Sequence, residues 1–156
     1  MAEPLVVRRE IQIAAPQATV FAFLTDPEKI LSWIGTEAET EAEPGGIYLV
    51  KGVGGRANTA RGAFREVVPI HRLAYSFGWE GSWEGSGEVP PGSSLIEIDL
   101  VERDGGTLLR LTHSGLPNAA QCASHDKGWT HYLGRLATAA AGRNPGIDHG
   151  PEARAT

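Results

Sequence analysis

Residues 108–136 read LLRLTHSGLPNAAQCASHDKGWTHYLGRL and are the most informative stretch of the chain. The alternation of apolar and polar residues up to His113 predicts a strand, and Ser-Gly-Leu-Pro leads from it into one long helix. Apolar residues at helical spacing predict the buried face of this helix: Trp129, Tyr132, Leu133, Leu136 and Ala140. A glycine inside a helix costs about 1 kcal/mol relative to alanine. Gly128 and Gly134 therefore predict a close approach of this helix to a sheet.

The chain before this stretch predicts two short helices and a series of antiparallel strands. Proline and cap signals start the helices at Pro16 and Asp26. The predicted strands are 6–14, 37–43, 47–51, 60–68, 72–79, 94–101 and 107–113. This order is α+β. We expect a curved antiparallel sheet of six or seven strands wrapped around the long C-terminal helix, with a cavity between sheet and helix.

Composition limits the classes of function. The formal net charge is −5 and the basic residues are scattered, which argues against nucleic acid as a partner. The single cysteine, Cys122, excludes an intramolecular disulfide. We find no signal-peptide core and no run of membrane-spanning length, so we expect a cytoplasmic protein without membrane insertion. Residues 1–141 are expected to form one domain, and residues 142–156 are predicted to be a disordered tail.

The sequence predicts no metal site and no cofactor. The five histidines form no HxH or HxxxH pair, and His125 and His131 do not share a helical face. Residues 52–57 match GxGxxA, but a strand rather than a helix is predicted to follow, so a dinucleotide site is rejected. Cys122 lacks a Cys-His-Asn pattern, which favours a packed, inert thiol over a nucleophile.

An ordered set of residues carries a family resemblance over residues 6–141. Its members are Pro16, Val20-Phe21, Asp26-Pro27, Trp33, Gly62, Glu66, Pro69, Leu73, Trp79, Gly106-Thr107, Leu111-Thr112, His113-Ser114-Gly115, Gly128-Trp129, Leu133 and Leu136. Together they resemble the family of proteins similar to the C-terminal domain of the Hsp90 ATPase activator (AHSA1-like). This family belongs to the START-like superfamily (START/Bet v 1-like, also called SRPBCC).

The resemblance implies a helix-grip fold with a central cavity. It does not imply one activity, because the superfamily includes lipid binders, polyketide cyclases, hydroxylase domains and co-chaperone modules. Because these 156 residues leave no space for the N-terminal domain of the full co-chaperone, we expect that domain to be absent. A chaperone partner is therefore a less favoured alternative than a small-molecule ligand.

Large inward residues are the candidates for lining a pocket. They are Trp33, Tyr48, Tyr75, Phe77, Trp79, Leu111, His113, Trp129 and Leu133. The polar candidates are Arg9 and Glu66. Arg9 could meet an anionic group of a ligand or a buried carboxylate such as Glu66. His113 is either a hydrogen-bonded structural residue or a residue that contacts a ligand or transfers a proton.

Three hypotheses for function remain open. The first is non-covalent binding of a hydrophobic or amphipathic small molecule, with no catalytic residue. The second is an enzyme like a polyketide cyclase or hydrolase, in which His113, Tyr75 and Arg9 would act. The third is a co-chaperone-like interaction module. A cavity of several hundred Å³ would fit the first two, and a solid interior would fit the third.

Two further expectations concern the surface. The loop 80–93 could act as a lid, with Trp83 capping the mouth of the cavity, serving a protein contact or lying exposed without a role. An exposed edge strand could pair two copies of the chain into a homodimer.

Overall fold

The computed structural model describes residues 5–55, 58–80 and 86–151, and it confirms the predicted α+β class. The helices are α1 (Gln17–Thr25), α2 (Pro27–Ile30) and α3 (Ala119–Ala140). The strands are β1 (Val7–Ile13), β2 (Glu37–Thr40), β3 (Ile47–Lys51), β4 (Thr59–Val68), β5 (Arg72–Phe77), β6 (Trp79–Glu80), β7 (Ser94–Arg103) and β8 (Gly106–Ser114). The described residues thus contain eight strands, where the sequence predicts six or seven.

All strands form one antiparallel sheet in the order β1-β8-β7-β5-β4-β3-β2, and β6 pairs with β4. The turn between β7 and β8 holds Asp104 at φ 52° and Gly105 at φ 77°. Two successive residues with positive φ make the tight hairpin turn that the Asp-Gly pair predicts. β1 and β2 are the two edges of the sheet, so the chain begins at one edge and crosses to the other through α1 and α2.

The predicted strand 72–79 is interrupted at Gly78, which adds the eighth strand. A Cβ at Gly78 would collide with the carbonyl oxygen of Pro90, so the segment around Pro90 crosses the strand at this point. Trp79 N donates to the carbonyl of Val89 at 2.8 Å. This crossing ends β5 and gives Trp79 a separate strand at one end of the sheet.

The helix α3 begins and ends where local chemistry predicts. The Asn118 side-chain oxygen accepts from the Gln121 N–H at 2.9 Å, which satisfies a free donor of the first turn. Gly142, at φ 85°, follows the C-terminus. The predicted apolar face is buried against the sheet. Its members are Trp129, Tyr132, Leu133, Leu136 and Ala140.

Within residues 5–55, 58–80 and 86–151, no helix combines the length and the apolar character that a membrane crossing requires.

Candidate ligand cavity

A cavity of about 150 Å³ lies beside the N-terminal half of α3. The ends of β3, β4 and β5, a turn over Val53–Gly55 and the C-terminal segment form its other walls. The lining residues are Ile34, Tyr48, Val53, Gly54, Asn58, Ala60, Phe77, Trp79, Ser124, His125, Gly128, Trp129, Tyr132, His149, Gly150 and Pro151. Most of the lining surface is apolar, and five of the sixteen residues are Phe, Tyr or Trp, as is usual in small-molecule sites.

The cavity is smaller than the several hundred Å³ that the sequence analysis expects of a binder or an enzyme. Large aromatic side chains occupy much of the space between sheet and helix. The rings of Tyr48 and Tyr75 stack with centroids 4.2 Å apart, and Phe64 meets both rings at 5.9 Å. Burial raises the pKa of Tyr48 to about 12, so its hydroxyl is neutral in the physiological range. The interior is therefore mostly filled, with one compact void at one end.

Two indole–imidazole hydrogen bonds border this void. Trp129 Nε1 donates to His113 Nδ1 at 3.1 Å, and Trp79 Nε1 donates to His125 Nε2 at 3.0 Å. The two imidazole rings lie 5.2 Å apart, edge to face, and Phe77 packs against both. We call these five side chains the ring cluster.

His113 is held in one neutral tautomer by its partners. Its Nδ1 accepts from Trp129, so it carries no proton. The hydroxyl of Ser94 donates to the carbonyl of Phe77, and its oxygen lies 2.8 Å from His113 Nε2, which must then be the donor. Burial, together with the nearby charge that His125 would carry, lowers the pKa of His113 to about 3. Of the two sequence-based alternatives, the geometry fits the hydrogen-bonded structural one.

His125 is a cavity residue that the sequence analysis missed. Its Nε2 accepts from Trp79 and its Nδ1 lies 2.8 Å from the carbonyl of Gln121, so it too is neutral with both ring nitrogens engaged. Burial lowers its pKa. The signal was available in the sequence, because His125 lies four residues before Trp129 and so extends the buried stripe of α3 by one turn.

Gly128 and Gly134 do not mark a close approach between helix and sheet, so that prediction is wrong. Apart from its chain neighbours and the backbone of α3 itself, an ideal Cβ at either position meets no heavy atom of the described residues within 4 Å. Gly134 is exposed, whereas Gly128 lines the cavity. The space that a side chain would fill at residue 128 is therefore part of the void.

The segment after α3 supplies lining residues that were predicted to lie in a disordered tail. Residues 143–150 contain no helix or strand, yet Arg135 donates to the carbonyls of Pro145 and Gly146 at 3.2 and 3.1 Å. Asp148 accepts from the Tyr132 hydroxyl at 2.7 Å. The disorder of residues 142–156 as a whole stays a prediction, and residues 152–156 lie outside the described part of the chain.

Of the nine residues predicted to line a pocket, four line this cavity: Tyr48, Phe77, Trp79 and Trp129. The other five are buried in the core beside it: Trp33, Tyr75, Leu111, His113 and Leu133. Trp33 is absent from the lining, and its Nε1 donates to the carbonyl of Phe23 at 2.8 Å. The spacing of apolar residues along a strand or helix identified which face is buried. It could not show where on that face a void remains.

The polar candidates Arg9 and Glu66 lie outside the cavity and do not pair with each other. Arg9 makes two hydrogen bonds of 2.6 Å to Asp126 of α3, and both side chains are about two-fifths exposed. Glu66 accepts from Arg72 at 2.7 Å on the outer surface. Arg9 does face α3, as the alternation of residues 6–14 predicts. Because β1 is an edge strand, the Arg9 side chain nevertheless extends into solvent.

Within the part of the chain that the structure describes, the remaining candidates give no second site. Cys122 is half-buried and packs against the core, as predicted. Residues 5–55, 58–80 and 86–151 contain no group of three His, Cys, Asp or Glu side chains placed to hold a metal ion. Trp83 and the central part of the loop 80–93 lie outside the described residues, so their role at the mouth stays a prediction.

Comparisons with known proteins agree with this architecture. The family model "Activator of Hsp90 ATPase homolog 1-like protein" matches residues 14–141. The solution structure of an AHSA1-like protein from Rhizobium etli is 67% identical, with a TM-score of 0.70, 95% of this chain covered and 91% of that one. No curated protein matches.

Two more distant structures share the fold. DynU16, a protein of the dynemicin biosynthetic locus, is 21% identical with a TM-score of 0.77; the match covers 94% of this chain and 51% of that one. The Aha1 dimer from Colwellia psychrerythraea is 16% identical with a TM-score of 0.70, and 87% and 96% of the two chains are covered. The family match, the close relative and the sheet wrapped beside α3 lead to one conclusion: this chain belongs to the Activator of Hsp90 ATPase homolog 1-like family and has its helix-grip fold.

Proposed function

We propose that this protein binds a small hydrophobic or amphipathic molecule, without covalent chemistry, in the cavity beside α3. The observation that carries the proposal is a void of about 150 Å³ bounded by aromatic faces and by Gly128. In another protein, an engineered apolar cavity of about this volume stays dry and binds benzene. The ligand that fits this void is of single-ring size.

Two polar groups on the wall, those of His125 and Tyr132, support binding rather than proton transfer. Both ring nitrogens of His125 are engaged, and the Tyr132 hydroxyl already donates to Asp148. Burial raises the pKa of Tyr132, as does its hydrogen bond to the Asp148 carboxylate. A group that is fully hydrogen-bonded and far from its titration range is a poor general acid or base near neutral pH. Such groups fix the shape of a site.

An enzyme related to polyketide cyclases is the second candidate. Its proposed residues His113, Tyr75 and Arg9 lie outside the lining, but Tyr132 and His125 lie on it. The likeness to DynU16 extends to the fold alone. If this candidate is correct, turnover of a bound aromatic compound would fall strongly in Tyr132→Phe, whereas a binding protein would show no turnover in either form.

The third candidate, an interaction module or homodimer, would use the surface rather than the void. The Aha1 relative from Colwellia is a dimer, and the edges β1 and β2 of this chain are the strands that a second copy could extend. Size-exclusion chromatography with light scattering distinguishes a dimer from a monomer. A dimer would leave the cavity proposal intact.

The binding proposal is tested on protein purified from its host. Native mass spectrometry would reveal a retained small molecule, and a thermal-shift screen of single-ring aromatic compounds would find stabilising ligands. Gly128→Val, which places a side chain in the void, should abolish the stabilisation. The proposal fails if the wild type carries no retained molecule and no compound raises its unfolding temperature.

A further inference from the structure

Residues 149–151 form a wall of the cavity that lies outside the part of the chain matched by the family model. His149, Gly150 and Pro151 are lining residues, whereas the family match ends at residue 141. We call these three residues the C-terminal wall. What fits in the void therefore depends on a segment that the family's common core does not include.

Asp148 attaches this wall to α3. Its carboxylate accepts from the Tyr132 hydroxyl at 2.7 Å, lies 2.9 Å from His131 Nε2, and accepts from the Gly150 N–H at 2.8 Å. Its side chain is only 15% exposed. A buried carboxylate is costly without hydrogen bonds, so three donors around one carboxylate define a single position for the segment.

The opposite end of the wall closes against the turn over Val53–Gly55. A Cβ at Gly150 would lie 3.3 Å from the carbonyl oxygen of Gly54, and one at Gly54 would lie 3.4 Å from the Tyr132 hydroxyl oxygen. Both glycines have positive φ, 71° at Gly54 and 82° at Gly150. Positive φ favours glycine over residues with a side chain at both positions, so the two backbones meet here directly. The wall therefore spans from α3 to the turn and closes one side of the void.

We infer that Asp148 is a positioning residue whose hydrogen bonds hold the C-terminal wall as the size limit of the cavity. With the wall attached, a single aromatic ring fits and a fused pair of rings does not. When the carboxylate is removed, the wall is released and the larger molecule is admitted. This inference rests on the proposed function and adds which residues set the size of the ligand.

The test compares toluene with naphthalene as probes on the full chain. Binding is followed by the NMR signal of the Trp129 indole N–H, since Trp129 lines the void on the side of α3. We expect wild type to prefer toluene by at least about tenfold, and Asp148→Ala to reduce this preference by about tenfold. The matched control is Asp126→Ala, which removes a carboxylate of α3 whose partner is Arg9, outside the cavity.

A second variant keeps the test valid if Asp148→Ala does not fold. His131→Ala removes one group hydrogen-bonded to Asp148 without altering a lining residue, and it should lower the preference for toluene by a smaller factor. A loss of preference that does not occur in Asp126→Ala supports the inference. A general structural role would weaken both probes equally and leave their ratio unchanged.

Two results would overturn the inference, and they differ in what they say about the proposed function. If wild type binds toluene and the ratio is unchanged in Asp148→Ala and His131→Ala, the wall does not set the size limit, although the cavity still binds a ligand. If wild type binds neither probe, the proposed function fails and the inference fails with it.

Discussion

The indole N–H of Trp129 donates to Nδ1 of His113 across 3.1 Å, and this bond joins α3 to β8, the strand beside the edge strand β1. His113 has a relative exposure of 0%, and its other nitrogen is paired with Ser94. A protonated imidazole could not accept from the indole. The contact between helix and sheet therefore depends on a neutral histidine.

This dependence predicts that the protein begins to lose stability at a pH above the range in which carboxylates titrate. His113 has its pKa lowered to about 3 in the folded state, while an unfolded histidine titrates at about 6.5. As pH falls from about 6.5 towards 3, the unfolded state takes up a proton that the folded state does not. Each such histidine should lower the free energy of unfolding by about 1.4 kcal/mol per pH unit within this window.

Urea unfolding between pH 4.5 and 7.5 measures this slope. In His113→Gln the free energy of unfolding should fall less steeply with decreasing pH, by about 1.4 kcal/mol per pH unit, because one fewer proton is taken up on unfolding. This holds even though the variant is less stable at pH 7. Parallel curves for His113→Gln and wild type would contradict the assignment of a buried neutral imidazole.

Gly128 and Gly134 offer a matched pair of substitutions on one helix. Alanine at either position meets no described atom within 4 Å and favours the helix, so each variant should gain up to about 1 kcal/mol in free energy of unfolding. Because Gly128 alone of the two lines the void, Gly128→Ala should weaken toluene binding and Gly134→Ala should not. Chemical unfolding and the toluene titration measure the two effects. Equal binding by both variants would show that residue 128 does not border the ligand.

Trp129→Phe should destabilise the protein by about 2–4 kcal/mol. The smaller ring enlarges the cavity and leaves Nδ1 of His113 as a buried acceptor without a donor. Trp79→Phe, at a position that is half-buried, should cost less. Equilibrium unfolding in urea compares the two variants, and a reversed order would contradict the importance given to the His113 bond.

Arg9→Ala should change the free energy of unfolding by no more than about 1 kcal/mol. Its ion pair with Asp126 is about two-fifths exposed on both sides, and exposed pairs contribute little. The affinity for toluene should be unchanged, because Arg9 lies outside the lining. A large loss of ligand affinity in this variant would contradict the placement of Arg9 outside the cavity.

Regular spacing in the sequence was sufficient to predict the α+β class and the order of the elements, and the family resemblance implied the helix-grip fold. The stripe of α3, the Asp104-Gly105 turn and the alternation of β1 are all local patterns. The cavity, in contrast, is formed by residues that are far apart in the sequence. Its walls meet through pairs distant in sequence, such as Tyr132 with Asp148, 16 residues apart, and Trp79 with His125, 46 residues apart.

Gly128 is a second example of a structural feature that the sequence alone could not settle. A glycine within a helix is explained either by close packing against a neighbouring element or by an unfilled space beside the helix. The sequence does not distinguish these two explanations. Composition has a similar limit: the polar residues of 142–156 predict disorder, but composition alone cannot show that the Asp148 carboxylate has three hydrogen-bond donors around it.

The proposal of a ligand cavity can be examined with a toluene titration followed by the indole N–H signals of wild-type protein. Trp79 and Trp129 line the void, whereas the Trp33 indole is bonded to the carbonyl of Phe23 and serves as an internal control. We predict that the Trp79 and Trp129 signals shift and saturate while the Trp33 signal stays in place. Signals that do not shift, or that all drift together without saturation, would contradict a ligand cavity beside α3.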